Sequence, residues 1–516
     1  MATKHHPQHF LIVTYPAQGH ITPARHLARR LAGACPGARV TICVPLSAFR
    51  KMFPGAAATG EEETQTRDGD AGDDDDDDKQ AVYYVAYSDG YDGGFDSAAD
   101  SYARYMEQAR AAGERSLAAV LARLRGVGRP VTCAVYTLLL PWVAGVARDH
   151  GVAATAVFWI QPATALAAYY HYFRGHRGAF VAASGAGAEV VRLPGLPPLR
   201  ARDLPSFLAI TDEDDPFAFV LPEFRELVDA VERGGGGGDS SRPPPTYVLA
   251  NTFDALERDA LTSLRPHVEV FAVGPVLSFL HEEAPGDDAT RTPSRPPRDV
   301  FEHDESGYIG WLDTKPAKSV VYISFGSSSV MSRTQVAEIA DAVAQIKRPF
   351  LWVLRKDNCN DKEDDAAIRG MAAAAASRDA GGAGGMVVEW CDQARVLSHP
   401  SVACFVTHGG WNSTLEGVAC GVPLVVAPRY SDQGTSAWLV AERAGAGVRA
   451  AARDGDGVVV EAAELARCVA SATSEAVAAR AAEWKWEARK AVEAGGGSDR
   501  SLREFLRLVA GGGDDA

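Results

Sequence analysis

WCDQARVLSHPSVACFVTHGGWNSTLEGVACGVPLVVAPRYSDQ, running from Trp390 to Gln433, is the stretch whose reading decides how this chain folds. Val402 to Thr407 is a short apolar run of buried-strand type, His408, Gly409 and Gly410 supply a turn, and Trp411 to Val418 opens a helix. Strand, glycine turn and helix N-terminus follow one another without interruption.

That succession builds an anion site out of backbone. The N–H groups and the positive end of the helix dipole at Asn412 and Ser413 would hold a diphosphate, and the small glycines let its oxygens come close. No Lys or Arg lies between Arg395 and Arg429, so an anion here is held by dipoles, hydroxyls and His408, and a Walker-type loop is excluded because its lysine is missing. Taken singly, these residues have blander readings. Ser413 with Glu416 fits a capping box, Trp390 and Trp411 fit core aromatics, His408 a turn histidine, and Asp432 with Gln433 a solvated loop. Their joint spacing favours a site.

Along its full 44 residues the run resembles the plant secondary product glycosyltransferase box of family-1 UDP-dependent glycosyltransferases. The resemblance implies Trp390 flat against uracil, Cys391 and Gln393 beside the nucleotide, and Glu416 on the ribose hydroxyls. It implies diphosphate contacts from His408, Asn412 and Ser413, and puts Ser327 on the donor side. Trp411, Asp432 and Gln433 would face the sugar, and a closing glutamine goes with glucose in this family. The implied donor is UDP-glucose as co-substrate, with no cofactor and no metal.

Composition agrees with a soluble globular chain of two to four domains: 516 residues, 46% hydrophobic and 23% charged. A net charge of -15 argues against nucleic acid and anionic membranes, since no Lys/Arg cluster offers the footprint that phosphate backbones demand. Asp73 to Asp78 sits in a polar stretch from Gly55 to Gln80 that reads as a solvated, disordered loop rather than a cation site, which needs fixed geometry. The eight cysteines show no CxxC pair and read as reduced thiols of a cytoplasmic protein. MATKHHPQHFLIVTYP runs straight into a strand and reads as carrying no signal peptide. The uncharged stretches Val131 to Ala147 and Gly151 to Phe173 near membrane-spanning length, but Pro141, Gln161, Pro162 and His171 break them, and both read as core.

Outward from the box, strands alternate with helices: Phe10 to Tyr15, then Ile21 to Leu31 as a helix, Val40 to Val44, Ala81 to Tyr87, a helix from Met106 to Leu124, Val131 to Leu140 and Ala153 to Ile160. Such alternation predicts a mostly parallel, doubly wound sheet with ligands at the carboxyl ends of its strands. Tyr247 to Asn251 adds a strand after a Gly/Pro-rich passage at 234–245. Alternation resumes beyond a proline-laden stretch with Ser319 to Phe325, the helix Thr334 to Gln345, Phe350 to Leu354 and Met386 to Glu389, while Asp357 to Gly385 reads as a surface excursion. The expected division is an acceptor domain at 1–279, a linker at 280–304, a UDP-sugar domain at 305–480, and a helical segment at 481–516 packing back on the first domain. By resemblance this is the α/β GT-B fold, two Rossmann-like doubly wound parallel-sheet domains facing a cleft.

Glucose transfer from UDP is an inverting displacement at the anomeric carbon, so the protein must activate an acceptor oxygen and stabilise the departing diphosphate. The resemblance makes His20, in PAQGH at the end of the first strand, the general base, a role that imidazole suits by its pKa. The family then uses an aspartate from a later strand end; here CAVYTLLLPW places Thr137 at that point. The missing carboxylate weakens the base. A carboxylic acid with a pKa of about 4 to 5 arrives ionised, whereas a phenol near 10 needs about three units of help. The favoured acceptor is therefore a carboxylic acid, with flavonoid or other phenol O-glucosylation as the alternative. YPAQGH, SDGYDGGFD, YTLLLPW and FWIQPAT resemble the subgroup of indole-3-acetate, abscisate and crocetin glucosyltransferases and anthocyanidin 5-O-glucosyltransferases, which puts Gln161 on the acceptor or sugar side. SDGYDGGFD reads as a mobile acceptor-side loop, lacking the ladder of a calcium loop. Expected partners are a small-molecule acceptor and UDP-glucose, with no nucleic acid and no membrane insertion, on a monomer. A dinucleotide site at Gly445, Gly447 and Ala450 in GAGVRA is a weaker rival, with no clear strand before it; a non-catalytic nucleotide-sugar binder is another.

Overall fold

The computed structural model describes residues 8–54, 82–96, 99–184, 190–212, 214–232, 246–280, 307–326, 330–355, 362–377, 384–453 and 459–511. The loop expected at 55–80, the passage 234–245, all of the linker 280–304 except Leu280, and Ser327 lie outside the described residues.

Contacts divide the chain into two units, one of residues 1–201, 207–300 and 491–516, the other of 202–206 and 301–490. The first holds a seven-stranded sheet in the order β3-β2-β1-β4-β5-β6-β7. Its strands are β1 (His9–Val13), β2 (Arg39–Pro45), β3 (Val82–Tyr87), β4 (Cys133–Tyr136), β5 (Ala154–Trp159), β6 (Tyr247–Ala250) and β7 (Val270–Ala272). Every pairing is parallel. Strands covered by crossover helices on both faces are hydrophobic throughout, and β1 is buried at all five residues. The helix Gly497–Gly511 belongs to this unit, where Phe505 meets the rings of Tyr247 at 5.7 Å and Phe271 at 5.9 Å.

The second unit carries six parallel strands, ordered β10-β9-β8-β11-β12-β13: β8 (Val320–Ser324), β9 (Phe350–Val353), β10 (Gly385–Val388), β11 (Val402–Thr407), β12 (Leu424–Val426) and β13 (Gly447–Arg449). Side chains alternate across it, as a strand requires. Val321 and Ile323 of β8 join Cys404 and Val406 of β11 in a core under the helices Arg333–Ile346 and Ala462–Ala472, while Tyr322 stacks on Phe405 at 4.8 Å on the other face.

Two expectations are corrected. The strand read over 131–140 is only Cys133–Tyr136; beyond it Leu138 and Leu140 are buried in a loop, with Leu139 at φ 68, so their hydrophobicity marks burial rather than extension. Within the stretch 357–385, read as a surface excursion, Lys362–Ser377 is a helix whose Ile368, Ala372 and Ala375 enter the core. Around GAGVRA, Gly447 opens the edge strand β13 and no helix opens from a glycine turn there, so the dinucleotide motif lacks its strand–turn–helix context. Gly447 is required by packing instead: a Cβ would lie 2.4 Å from the Leu424 carbonyl oxygen. No helix among the described residues is long and apolar enough to cross a membrane.

Candidate active site

In both sheets strand order reverses at one point, between β1 and β4 and between β8 and β11, and ligands of such sheets bind outside the carboxyl ends there. The sequence-read residues gather at those two edges.

In the second unit, β11 ends in His408, whose imidazole is gripped by two glycines. A Cβ on Gly326, which follows β8 at φ +78, would lie 2.5 Å from His408 Cε1, and one on Gly410 would lie 2.6 Å from Nε2. His408 Nδ1 lies 3.3 Å from Thr407 Oγ1, and burial, aided by the Arg429 charge, lowers its pKa to about 4. At neutral pH His408 is therefore an uncharged hydrogen-bonding group. The helix Trp411–Cys420 starts at Gly410 with no side-chain cap, so Asn412 and Ser413 stand in its first turn beside the positive dipole end.

Glu416 does not serve as a capping-box acid, because its carboxylate accepts a hydrogen bond from Gln393 Nε2. The same amide donates to Ser413 Oγ at 2.9 Å, and Gln393 Oε1 accepts from the Tyr322 hydroxyl at 3.1 Å. That hydroxyl also lies 3.4 Å from Cys391 Sγ. Cys391, Gln393, Ser413 and Glu416 thus form one network, with Tyr322 as a member that sequence reading missed. Trp390 is half-buried, as a ring with one face to give must be. Trp411, expected to face the sugar, is buried at the first position of that helix.

Asp432 and Gln433 are buried at the start of the helix Gln433–Trp438. Gln433 Oε1 accepts from the backbone N–H groups of Arg429 and Tyr430, at 2.8 and 3.2 Å, so the orientation of the amide is fixed. Residues 202–206 strap this loop. Ser431, at φ 60, exchanges hydrogen bonds with Ser206; Thr435 Oγ1 donates to the Asp203 carbonyl oxygen; Arg449 pairs with the buried Asp203 carboxylate at 2.6 Å. Nothing in the local sequence marked this strap.

In the first unit, His20 and Thr137 follow β1 and β4 and come together: His20 Nδ1 lies 2.9 Å from Thr137 Oγ1, which also accepts the Tyr15 backbone N–H at 3.2 Å. The His20 ring keeps only partial exposure, and burial lowers its pKa to about 3 with no charged group opposing it. Gln161 follows the adjacent strand β5, on the same sheet edge. The SDGYDGGFD loop is tied down: Asp89 accepts from the Tyr91 backbone N–H at 3.0 Å and the Tyr105 hydroxyl at 3.1 Å, and Ser88 Oγ donates to Asp92 at 2.7 Å. Among the described residues no group of His, Cys, Asp or Glu is arranged to hold a metal.

Two parallel-sheet Rossmann-like units, the second with a glycine turn at a helix N-terminus beside His408, define an enzyme of GT-B architecture. Comparison with known proteins agrees. The UDP-glucoronosyl and UDP-glucosyl transferase family matches residues 309–458. UDP-glycosyltransferase 75C1 of Solanum lycopersicum is 39% identical over 97% of this chain and 98% of its own. Phloretin 4'-O-glucosyltransferase of Malus domestica is 38% identical over 97% of each. The crystal structure of Os79 from O. sativa in complex with UDP superposes with a TM-score of 0.75 at 27% identity, covering 97% of this chain and all of that one. The chain belongs to the UDP-glycosyltransferase family.

Proposed function

We propose that this enzyme moves glucose from UDP-glucose to the carboxylate of a small acceptor, with inversion at the anomeric carbon, forming a glucose ester. The observation that carries the choice of acceptor is the pairing of His20 with a hydroxyl, Thr137, instead of a carboxylate. Burial without a countercharge makes His20 a weak base, with a pKa of about 3. A phenol near 10 gives up its proton to so weak a base only with difficulty. A carboxylate presents no such demand. Its oxygen attacks C1, the C1–O bond to the diphosphate breaks, and the charge passes to UDP.

In this reading the donor unit does the remaining work. Trp390 stacks on uracil, the Gln393–Glu416 pair meets the ribose, His408 and the first turn of the helix Trp411–Cys420 receive the diphosphate, and Asp432 with the Gln433 amide reads the glucose hydroxyls. Ser327 is assigned to the same side by resemblance alone. We place the enzyme in the cytoplasm as a monomer needing no metal, a placement consistent with the free thiols of all seven described cysteines.

O-glucosylation of a phenol is the second reading, favoured by the likeness to a relative named for phloretin. Nδ1–H of His20 would then donate to Thr137 Oγ1, and Nε2 would take the phenolic proton. A panel of aromatic carboxylic acids and phenols incubated with UDP-glucose, with and without EDTA, separates the two. Ester products formed at the higher kcat/KM support the acid reading; ether products formed faster, on acceptors of matched size, overturn it.

A further inference from the structure

Near His20 the first unit contains a narrow cleft, open to solvent, with about 10 Å³ of enclosed space. Its walls are aromatic, and they connect it to His20. The Tyr15 ring lies 5.2 Å from the His20 imidazole and 6.0 Å, edge on, from Tyr105; Trp142 also lines the cleft. Leu139, held at φ 68 where an aliphatic side chain is strained, lines it too.

The cleft contains charge as well, and it is net acidic. Arg110 is already spent: its guanidinium donates to both oxygens of Glu226, at 2.6 and 2.8 Å, and to Glu114 at 3.2 Å. Asp89 is satisfied by Tyr105 and Tyr91. Glu223, on the helix Val220–Val231, is different, because its Oε2 is buried in the lining without a hydrogen-bond partner. A buried carboxyl oxygen left unpaired is costly, and a ligand donor would recover that cost.

We propose that Glu223 is a specificity-determining residue of the acceptor site, taking a hydrogen bond from a hydroxyl of an aromatic acceptor whose reacting oxygen lies at His20. This rests on the reading of the enzyme given above and narrows its substrate class to hydroxyaryl carboxylic acids. The same charges orient the acceptor. Asp89 and Glu223 disfavour a carboxylate in the cleft, so the carboxylate points to His20 and the hydroxyl points away from it.

The facing groups also fix a pH signature. Burial, helped by Glu226 and opposed by Arg110, raises the Glu223 pKa to about 7. Asp89 faces the cleft from the loop after β3 with its own pKa raised, and the phenols of Tyr15, Tyr87 and Tyr105 are all pushed above 10, so they do not titrate near neutrality. Glu223 consequently passes from carboxylic acid to carboxylate, the stronger acceptor, between about pH 6 and 8.

Isothermal titration calorimetry of the full chain with 4-hydroxycinnamate and cinnamate tests this without turnover. The hydroxylated acid is expected to bind about tenfold more tightly at pH 8, by one hydrogen bond to a charged acceptor, and less so at pH 6. Glu223→Leu brings the two affinities within about twofold. Glu223→Gln retains the carbonyl acceptor and the volume but abolishes the pH dependence, which covers the case that the leucine variant fails to fold. Equal affinities in the wild type, or a preference that survives either substitution with its pH dependence intact, overturn the assignment. A Glu223-dependent preference with no glucosylation of either acid upholds the binding site and overturns the proposed reaction.

Discussion

In the proposed reaction a single side chain, His20, carries the acid–base chemistry. Its partner is the neutral Thr137 hydroxyl, and burial lowers its pKa. His20→Ala is expected to cost phenolic acceptors the 10²- to 10⁴-fold typical of a lost general base, and carboxylates much less; initial rates on the two classes check it, and equal losses would make His20 a positioning group. Thr137→Asp should raise the His20 pKa, so that kcat with a phenol rises at high pH and acquires an acidic limb that the wild type lacks. A profile as flat as the wild type's would show that the new carboxylate never reaches the ring. On the donor side, Trp390→Ala is expected to weaken UDP binding by on the order of 1 to 3 kcal/mol, the worth of one base–aromatic stack. Calorimetric titration with UDP measures that directly, and an unaltered Kd removes Trp390 from the nucleotide site.

The functional unit one scale up is the β11 strand with its glycine turn and helix. Its backbone delivers the dipole and N–H groups, but the imidazole of His408 is placed by a second strand end, since Gly326 closes over it from β8. Gly326→Ala adds a Cβ 2.5 Å from His408 Cε1 at a φ of +78. Left-handed strain of about 1 to 2 kcal/mol and overpacking of about 1 to 3 kcal/mol then act together. The substitution is expected to lower Tm by several degrees and raise the UDP-glucose KM by roughly tenfold, as the imidazole is displaced. Unchanged KM in a destabilised variant would confine Gly326 to packing.

At the scale of the whole molecule, burial lowers the pKa of histidines that include His20, to about 3, and His171 and His408, to about 4. For His171, the neighbouring His176 and His267 add to the effect of burial. Between these values and about 6.5, the unfolded chain binds more protons than the folded one, so stability rises with pH across that window and falls on acidification. Each fully buried histidine contributes up to about 1.4 kcal/mol per pH unit there. Glu223, raised to about 7, acts in the opposite sense between about 4.5 and 7. Urea midpoints measured from pH 7 to 4 should decline, and less steeply in His171→Asn than in the wild type. Identical slopes for the two would remove His171 from the balance.

The strand, turn and helix of the proposed donor site were legible because they are local. From Trp390 to Gln433 the chain itself carries strand, turn and helix in order, and covalent geometry alone brings His408, Asn412 and Ser413 to one helix end. Strand alternation likewise declared two parallel sheets, because period and length survive in the sequence. What packing decided lies elsewhere. Tyr322 reaches Gln393 across 71 residues, Asp203 reaches Arg449 across 246, and the cleft beside Tyr15 draws Asp89, Arg110, Leu139 and Glu223 from four separate segments. None of these has a local signature, since each is one polar or apolar residue among many until the fold sets its neighbours. Apolarity misled for the same reason at 138–140, where loop and strand look alike in sequence, and only the strand pairing, whose register ends at Tyr136, tells them apart.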